Sequence, residues 1–138
     1  MGDLQGRTAL VTGASRGIGA AVARALDAQG VNLGLASRSG DDLGIEGAVA
    51  QPTDVRDLAA LESLAAATAE RFGGIDILVI NAGVGAYGPF LDLAFEHLEE
   101  MIDVNVKGAI YSARAALPYL VESDAADLVT VASEAGRR

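Results

Sequence analysis

Three glycines form the most distinctive pattern of residues in this chain that could do chemistry. Gly13, Gly17 and Gly19 have the spacing G-x-x-x-G-x-G, and they lie between an apolar run and a helical pattern. A strand, a glycine turn and a helix start together can hold a phosphate group. Glycine lets the backbone approach the anion closely, and the free N–H groups of the helix start attract it. The glycines alone are also consistent with a simple tight turn from strand to helix, because their spacing is not the G-x-G-x-x-G of the best-known dinucleotide fingerprint.

The hydrophobic pattern predicts strands that alternate with helices on both sides of the glycine turn. The predicted strands are Arg7–Thr12, Val31–Ala36, Ala48–Gln51, Ile75–Ile80 and Asp127–Ala132. The predicted helices are Ile18–Gln29, Leu58–Phe72 and roughly Ala94–Leu120, the last kinked or ended by Pro118. The polar stretch Ser37–Gly47 is short, so we expect the second crossover to be mostly loop. This order predicts an α/β fold of the Rossmann type, a doubly wound parallel sheet of five strands in three layers, over residues 1–138 as a single domain.

Polar residues or glycines follow each predicted strand. They are Gly13–Gly19 after the first strand, Ser37 and Arg38 after the second, Asp54 and Val55 after the third, Asn81, Ala82 and Gly83 after the fourth, and Ser133 after the fifth. In an open parallel sheet, ligands bind at the carboxyl ends of the strands. The sequence therefore predicts one ligand site at this edge of the sheet.

Five short motifs resemble those of the short-chain dehydrogenase/reductase family, and the resemblance covers almost the whole chain. The motifs are TGASRGIG at 12–19, DV at 54–55, NAG at 81–83, DVNVKG at 103–108 and SEAG at 133–136. Within the family the chain looks most like the 3-oxoacyl-carrier-protein reductase group. The resemblance implies an oxidoreductase that transfers a hydride between NADP(H) and a carbonyl or alcohol substrate, with the chemistry carried by the cofactor.

The resemblance also implies which residues bind the cofactor. The pyrophosphate and the adenosine end would be held by Gly13, Ser15, Arg16, Gly17, Ile18 and Gly19. Asp54 would accept a hydrogen bond from the adenine amino group, with Val55 packed beside it. Asn81, Ala82 and Gly83 would border the ribose. For Asp54, a simple turn cap remains the alternative.

Two further residues match positions that the family uses in catalysis. Asn105 would position a water in the proton relay, and Ser133 would form a hydrogen bond with the substrate oxygen. Asn105 could instead satisfy a helix kink, and Ser133 could be an ordinary hydroxyl at a strand end.

The family's Tyr-x-x-x-Lys motif, whose tyrosine is the general acid and base, is absent from this sequence. Lys107 is the only lysine, and none of Tyr87, Tyr111 and Tyr119 has a lysine four residues later. We therefore expect this chain to be the N-terminal, cofactor-binding part of a longer protein, with little turnover alone. A nucleotide-binding module without catalysis is the alternative.

The end of the second strand bears on the choice between NADP and NAD. In dinucleotide folds an acidic residue there holds the ribose 2′-hydroxyl of NAD, whereas an arginine accommodates the 2′-phosphate of NADP. Ser37 and Arg38 stand at this position, and Arg16 lies in the glycine turn. Two guanidinium groups suit a phosphate, which favours NADP. NAD stays open, because Asp41 or Asp42 could fold back toward the ribose.

Composition excludes several other classes of function. The 138 residues include 10 basic and 19 acidic side chains, for a net charge of −9, so nucleic acid and anionic membranes are poor partners. There is no cysteine, hence no disulfide or thiolate metal site, and no metal site is predicted. No signal peptide or spanning segment is evident, so a cytoplasmic location is expected. The family resemblance further implies a homo-oligomer, a dimer or tetramer, paired through the long third helix.

Overall fold

The computed structural model describes residues 3–137 and contains one parallel sheet of five strands. The strands are β1 (Thr8–Thr12), β2 (Asn32–Ser37), β3 (Val49–Pro52), β4 (Ile77–Ile80) and β5 (Asp127–Thr130). Their order in the sheet is β3-β2-β1-β4-β5, and every neighbouring pair is parallel. The predicted Rossmann-type fold is confirmed. Each strand lies within two residues of its predicted bounds, and the apolar runs of β1, β2 and β4 are buried, whereas β3 is half-buried and β5 is exposed.

The helices are α1 (Gly17–Asp27), α2 (Leu58–Phe72), α3 (Phe95–Met101) and α4 (Gly108–Leu120). Short 3₁₀ turns span Phe90–Asp92 and Glu134–Arg137. As predicted, no helix lies between β2 and β3, both of which fall inside the described part of the chain. None of the helices within residues 3–137 is both long and apolar enough to cross a bilayer.

Helical conformation runs from Phe95 to Leu120, close to the predicted range Ala94–Leu120, but it is not α-helical throughout. A π-helical stretch, Ile102–Lys107, separates α3 from α4, and it contains Asn105. Apolar spacing cannot reveal such a stretch, because one widened turn keeps the helix direction while shifting which side chains share a face. Pro118 lies in the last turn of α4, and the helix continues for two residues beyond it.

Helices cover both faces of the sheet, in three layers. Successive side chains of a strand point to opposite faces, so Leu10 packs with the α2 side chains Leu61 and Leu64. Its neighbour Val11 packs on the other face in a cluster that includes Ala23 of α1. These two cores fix the strand ends, and with them the residues that follow each strand.

Candidate functional site

A cavity of about 490 Å³ opens at the carboxyl edge of the sheet, where β1, β2, β3 and β4 end. It is lined by every predicted cofactor-binding residue except Gly19. Those residues are Gly13, Ser15, Arg16, Gly17, Ile18, Ser37, Arg38, Asp54, Val55, Asn81, Ala82 and Gly83. Sequence reasoning did not name the other lining residues, which are Ala36, Ser39, Thr53, Arg56, Val84, Glu100 and Val104.

The glycine turn has the geometry that an anion site needs. Gly13 and Gly17 adopt φ values of +62° and +56°, which L side chains rarely adopt. Arg16 precedes α1 in an extended conformation, and no side chain caps the helix start. The first N–H groups of α1 therefore lack a partner within the helix, and Gly17 and Ile18 face the cavity. A phosphate group fits this end of the cavity on both geometry and charge.

Gly19 shapes the turn without lining the cavity. It is buried in the first turn of α1, and an added Cβ would collide with the carbonyl oxygen of Gly13. The same Cβ would lie 2.5 Å from Nδ2 of Asn81. The absence of a side chain at this position lets α1 begin directly against the end of β1.

Thr12, the last residue of β1, joins the glycine turn to the segment after β4. Its buried Oγ1 accepts hydrogen bonds from the backbone N–H groups of Asn81 and Ala82, at 3.0 and 3.1 Å. In return, Nδ2 of Asn81 donates to the carbonyl oxygens of Thr12 and Gly13, each at 3.2 Å. Sequence reasoning missed this role of Thr12, although a hydroxyl directly after the apolar run 9–11 was a usable signal.

The β2 end of the cavity presents two arginines and no carboxylate from the loop that follows. Arg16 and Arg38 are exposed and line the cavity. Asp41 accepts a hydrogen bond from the N–H of Leu43, and Asp42 from that of Gly44, each at 2.8 Å. Both carboxylates are thus used in local turns, and neither lines the cavity.

Asp54 is held by an arginine that the sequence analysis did not consider. Its Oδ1 accepts from the backbone N–H and from Nε of Arg56, both at 3.0 Å. Its Oδ2 accepts from Nε at 3.1 Å and from Nη2 at 2.6 Å. The side-chain hydrogen bond from Arg56 lowers the pKa of Asp54 and outweighs partial burial, which raises it. The bond to the backbone N–H also makes Asp54 a turn cap, the alternative that the sequence left open.

The two predicted catalytic residues do not line the cavity. Asn105 bonds the backbone of Val84 twice, since Oδ1 accepts from its N–H and Nδ2 donates to its carbonyl oxygen, each at 2.8 Å. Val84 does line the cavity, so Asn105 fixes part of the wall. Ser133 is exposed beyond β5, and its Oγ accepts from the N–H of Ala135 at 3.1 Å. The contact of Ser133 agrees with an ordinary hydroxyl at a strand end, whereas Asn105 bonds the segment after β4 and not a group of its own helix. The catalytic roles of both residues stay predictions.

Comparison with known proteins gives a consistent picture. The chain is 41% identical to the oxidoreductase UcpA of Salmonella typhimurium over 144 residues, covering 99% of this chain and 55% of UcpA. The chain thus spans little more than half the length of this relative. A short-chain type dehydrogenase/reductase from Mycobacterium marinum superposes with a TM-score of 0.89 at 34% identity, over 99% of this chain and 57% of that one. A short chain dehydrogenase from Burkholderia cenocepacia in complex with NADP superposes with a TM-score of 0.88 at 35% identity, over 99% of this chain and 59% of that one. The short chain dehydrogenase family profile matches residues 7–138, and the chain belongs to this family.

Proposed function

We propose that the whole protein is an NADP(H)-dependent oxidoreductase that acts on a small carbonyl or alcohol substrate, and that this chain holds the cofactor. The choice of NADP rests on the charged side chains at the β2 end of the cavity. Arg16 and Arg38 face it, while Asp41 and Asp42 are engaged in their own turns. A 2′-phosphate would find two guanidinium groups there, whereas a ribose 2′-hydroxyl would find no carboxylate of this loop. The Burkholderia cenocepacia relative in complex with NADP supports the same choice.

We assign the parts of the dinucleotide to parts of the cavity in the order of the strands. The glycine turn after β1 and the start of α1 would hold the pyrophosphate through backbone N–H groups. Next in the sheet, Arg38 would bind the adenosine 2′-phosphate at the end of β2. Further out, Asp54 and Val55 after β3 would border the adenine. Asn81, Ala82 and Gly83 after β4 would border the second ribose, on the side toward β5.

The bound nicotinamide supplies or accepts the hydride, and the chain's residues orient the reacting groups. Ser133 would donate a hydrogen bond to the substrate oxygen, and Asn105 would hold the Val84 segment and a water of the proton relay. These roles come from the family resemblance. The 138 residues contain no Tyr-x-x-x-Lys, so the general acid and base of this proposal belongs to the whole protein. The oxidoreductases among the relatives favour an enzyme over a module that only binds nucleotide.

Two finer parts of the proposal concern relatives and assembly. The motifs at 12–19 and 103–108 support a likeness to the 3-oxoacyl-carrier-protein reductase group. Ile102, Val106 and Ile110 are exposed apolar side chains at intervals of four residues on the π-helical stretch and α4. An apolar stripe of this kind suits pairing with a second copy, so we include a homo-oligomer in the proposal.

Calorimetric titration of the chain with NADPH and NADH tests the proposed cofactor. Wild type should bind NADPH more tightly than NADH. Arg38→Asp should weaken NADPH binding by roughly ten- to a hundredfold, because a charge-assisted hydrogen bond contributes about 1.5–3 kcal/mol and the new carboxylate repels the phosphate. NADH should bind this variant at least as tightly as it binds wild type, because an acidic residue at the end of the second strand can hold the ribose 2′-hydroxyl. Arg24→Asp is the matched control, since Arg24 is an exposed α1 residue outside the cavity. Tighter binding of NADH by wild type would reject NADP as the cofactor.

A further inference from the structure

Arg56 is the one cavity-lining arginine that the proposed function leaves without a role. Unlike Arg16 and Arg38, it is bound to a carboxylate of the same cavity, that of Asp54. The pair lies at the end of β3, the part of the cavity assigned to the purine. Asp54 raises the pKa of Arg56 most, and the charges of Glu100 on α3 and Asp103 on the π-helical stretch raise it further. Arg56 is therefore stabilised in its charged form by carboxylates of more than one element.

The contacts of Asp54 occupy most of its capacity to accept hydrogen bonds. A carboxylate offers about four lone-pair sites. Three N–H groups of Arg56 reach these sites at 2.6–3.1 Å, because the backbone N–H donates to Oδ1, Nη2 donates to Oδ2, and the single Nε–H is shared between the two oxygens. The amino group of an adenine would have to share the carboxylate with these three donors. Its net contribution to binding is therefore smaller than at a bare carboxylate, because the charge of Asp54 is already engaged by Arg56.

The same arginine changes the chemistry that this wall offers to a purine. Within residues 3–137, Nη1 of Arg56 has no hydrogen-bond partner, whereas Nε and Nη2 are bound to Asp54. Nη1 carries two N–H donors, and a donor suits a carbonyl oxygen rather than an amino group. A bare carboxylate at this wall would repel a purine that carries oxygen at position 6. A carboxylate covered by a guanidinium does not.

We propose that Arg56 determines base specificity by making the site accept 6-oxopurine dinucleotides as well as 6-aminopurine ones. The inference rests on the proposed function, because it requires a dinucleotide in this cavity with its purine beside Asp54. Binding at this site would then depend chiefly on the 2′-phosphate at Arg16 and Arg38, and little on whether the purine carries an amino group.

Calorimetric titration with NADP⁺ and with nicotinamide hypoxanthine dinucleotide phosphate tests this role. The two dissociation constants should lie within about threefold of each other for wild type. Arg56→Ala should bind NADP⁺ at least about tenfold more tightly than it binds the hypoxanthine dinucleotide, which is the ratio expected of one hydrogen bond to a charged group. Arg56→Lys keeps the positive charge but loses the bidentate guanidinium, so it should also bind NADP⁺ more tightly than the hypoxanthine dinucleotide. Arg24→Ala, which removes a remote charge, should leave the ratio at the wild-type value.

The outcomes separate this inference from the proposed function. If neither dinucleotide binds, the proposed function fails and the inference fails with it. If wild type binds NADP⁺ tenfold more tightly than the hypoxanthine form, the proposed function stands and the inference is overturned. Equal weakening of both ligands in Arg56→Ala would show that Arg56 acts only as a general positive charge, and would also overturn it. If Arg56→Ala fails to fold, the ratio measured for Arg56→Lys decides the case, because this variant keeps the positive charge and loses only the bidentate fork.

Discussion

Replacing Thr12 with valine removes the hydroxyl that joins the glycine turn to the segment after β4, with almost no change of shape. Two backbone N–H groups, those of Asn81 and Ala82, lose their acceptor. An unsatisfied buried donor costs about 1–3 kcal/mol. Because Asn81 and Ala82 are only half-buried beside an open cavity, water can serve one of them. The donor without water costs about 1–3 kcal/mol, and the bond that water replaces contributes about 1 kcal/mol. We therefore expect a loss of about 2–4 kcal/mol in the free energy of unfolding, or roughly 6–15 °C in Tm for a chain of this size.

Urea denaturation followed by circular dichroism measures the loss, and Thr68→Val provides a matched control. Thr68 is as fully buried as Thr12, but its hydroxyl donates to the carbonyl oxygen of Leu64, which α-helical geometry already pairs with the N–H of Thr68. The control should lose less than about 1 kcal/mol, since no buried donor is left unpaired. Thr12→Ser should keep most of the stability because it keeps the hydroxyl. Equal losses for Thr12→Val and Thr68→Val would refute the role given to Thr12.

Two further variants test neighbouring parts of the site. Gly19→Ala should destabilise the chain by about 1–3 kcal/mol and weaken NADPH binding, because its Cβ collides with Gly13 and with the Asn81 amide. Gly73→Ala is its control, since Gly73 lies outside the cavity and a Cβ there meets open space and adds only backbone strain; a Gly19 variant with unchanged thermal stability would contradict the packing argument. Asp54→Asn tests the ion pair through pH. Because Arg56 lowers the pKa of Asp54 in the folded chain, the carboxylate adds stability well above its ordinary pKa of 3.8, and that stability is lost as the pH falls through the lowered value. Melting curves of wild type and Asp54→Asn should differ at pH 7 and converge at low pH, and a difference that persists unchanged into acid would contradict the pairing.

Strand placement could be predicted from the sequence because continuous apolar runs such as Ile77–Ile80 fit the buried strands of a parallel sheet. The position of the site at the carboxyl edge then followed from the parallel topology, and nearly all predicted cofactor-binding residues line the cavity there. The π-helical stretch Ile102–Lys107 could not be predicted, since it keeps an apolar spacing close to that of an α-helix. Pairing of Asp54 with Arg56 depends on side-chain conformations, which no spacing rule supplies. The role of Ser133 was predicted from a motif alone, and in the structure its hydroxyl accepts a hydrogen bond from the N–H of Ala135 in the same turn.

Hydrogen–deuterium exchange of the chain with and without NADP⁺ tests the central claim, that the carboxyl edge of the sheet holds this cofactor. Protection should increase in the segments 13–19, 37–39, 53–56 and 81–84, which contain most of the residues that line the cavity. A second cavity of about 200 Å³, lined by residues that include Asp27, Asn32 and Glu46, serves as an internal control and should exchange at the same rate in both samples. Protection at the second cavity, or no protection at the four segments at saturating NADP⁺, would contradict the assignment.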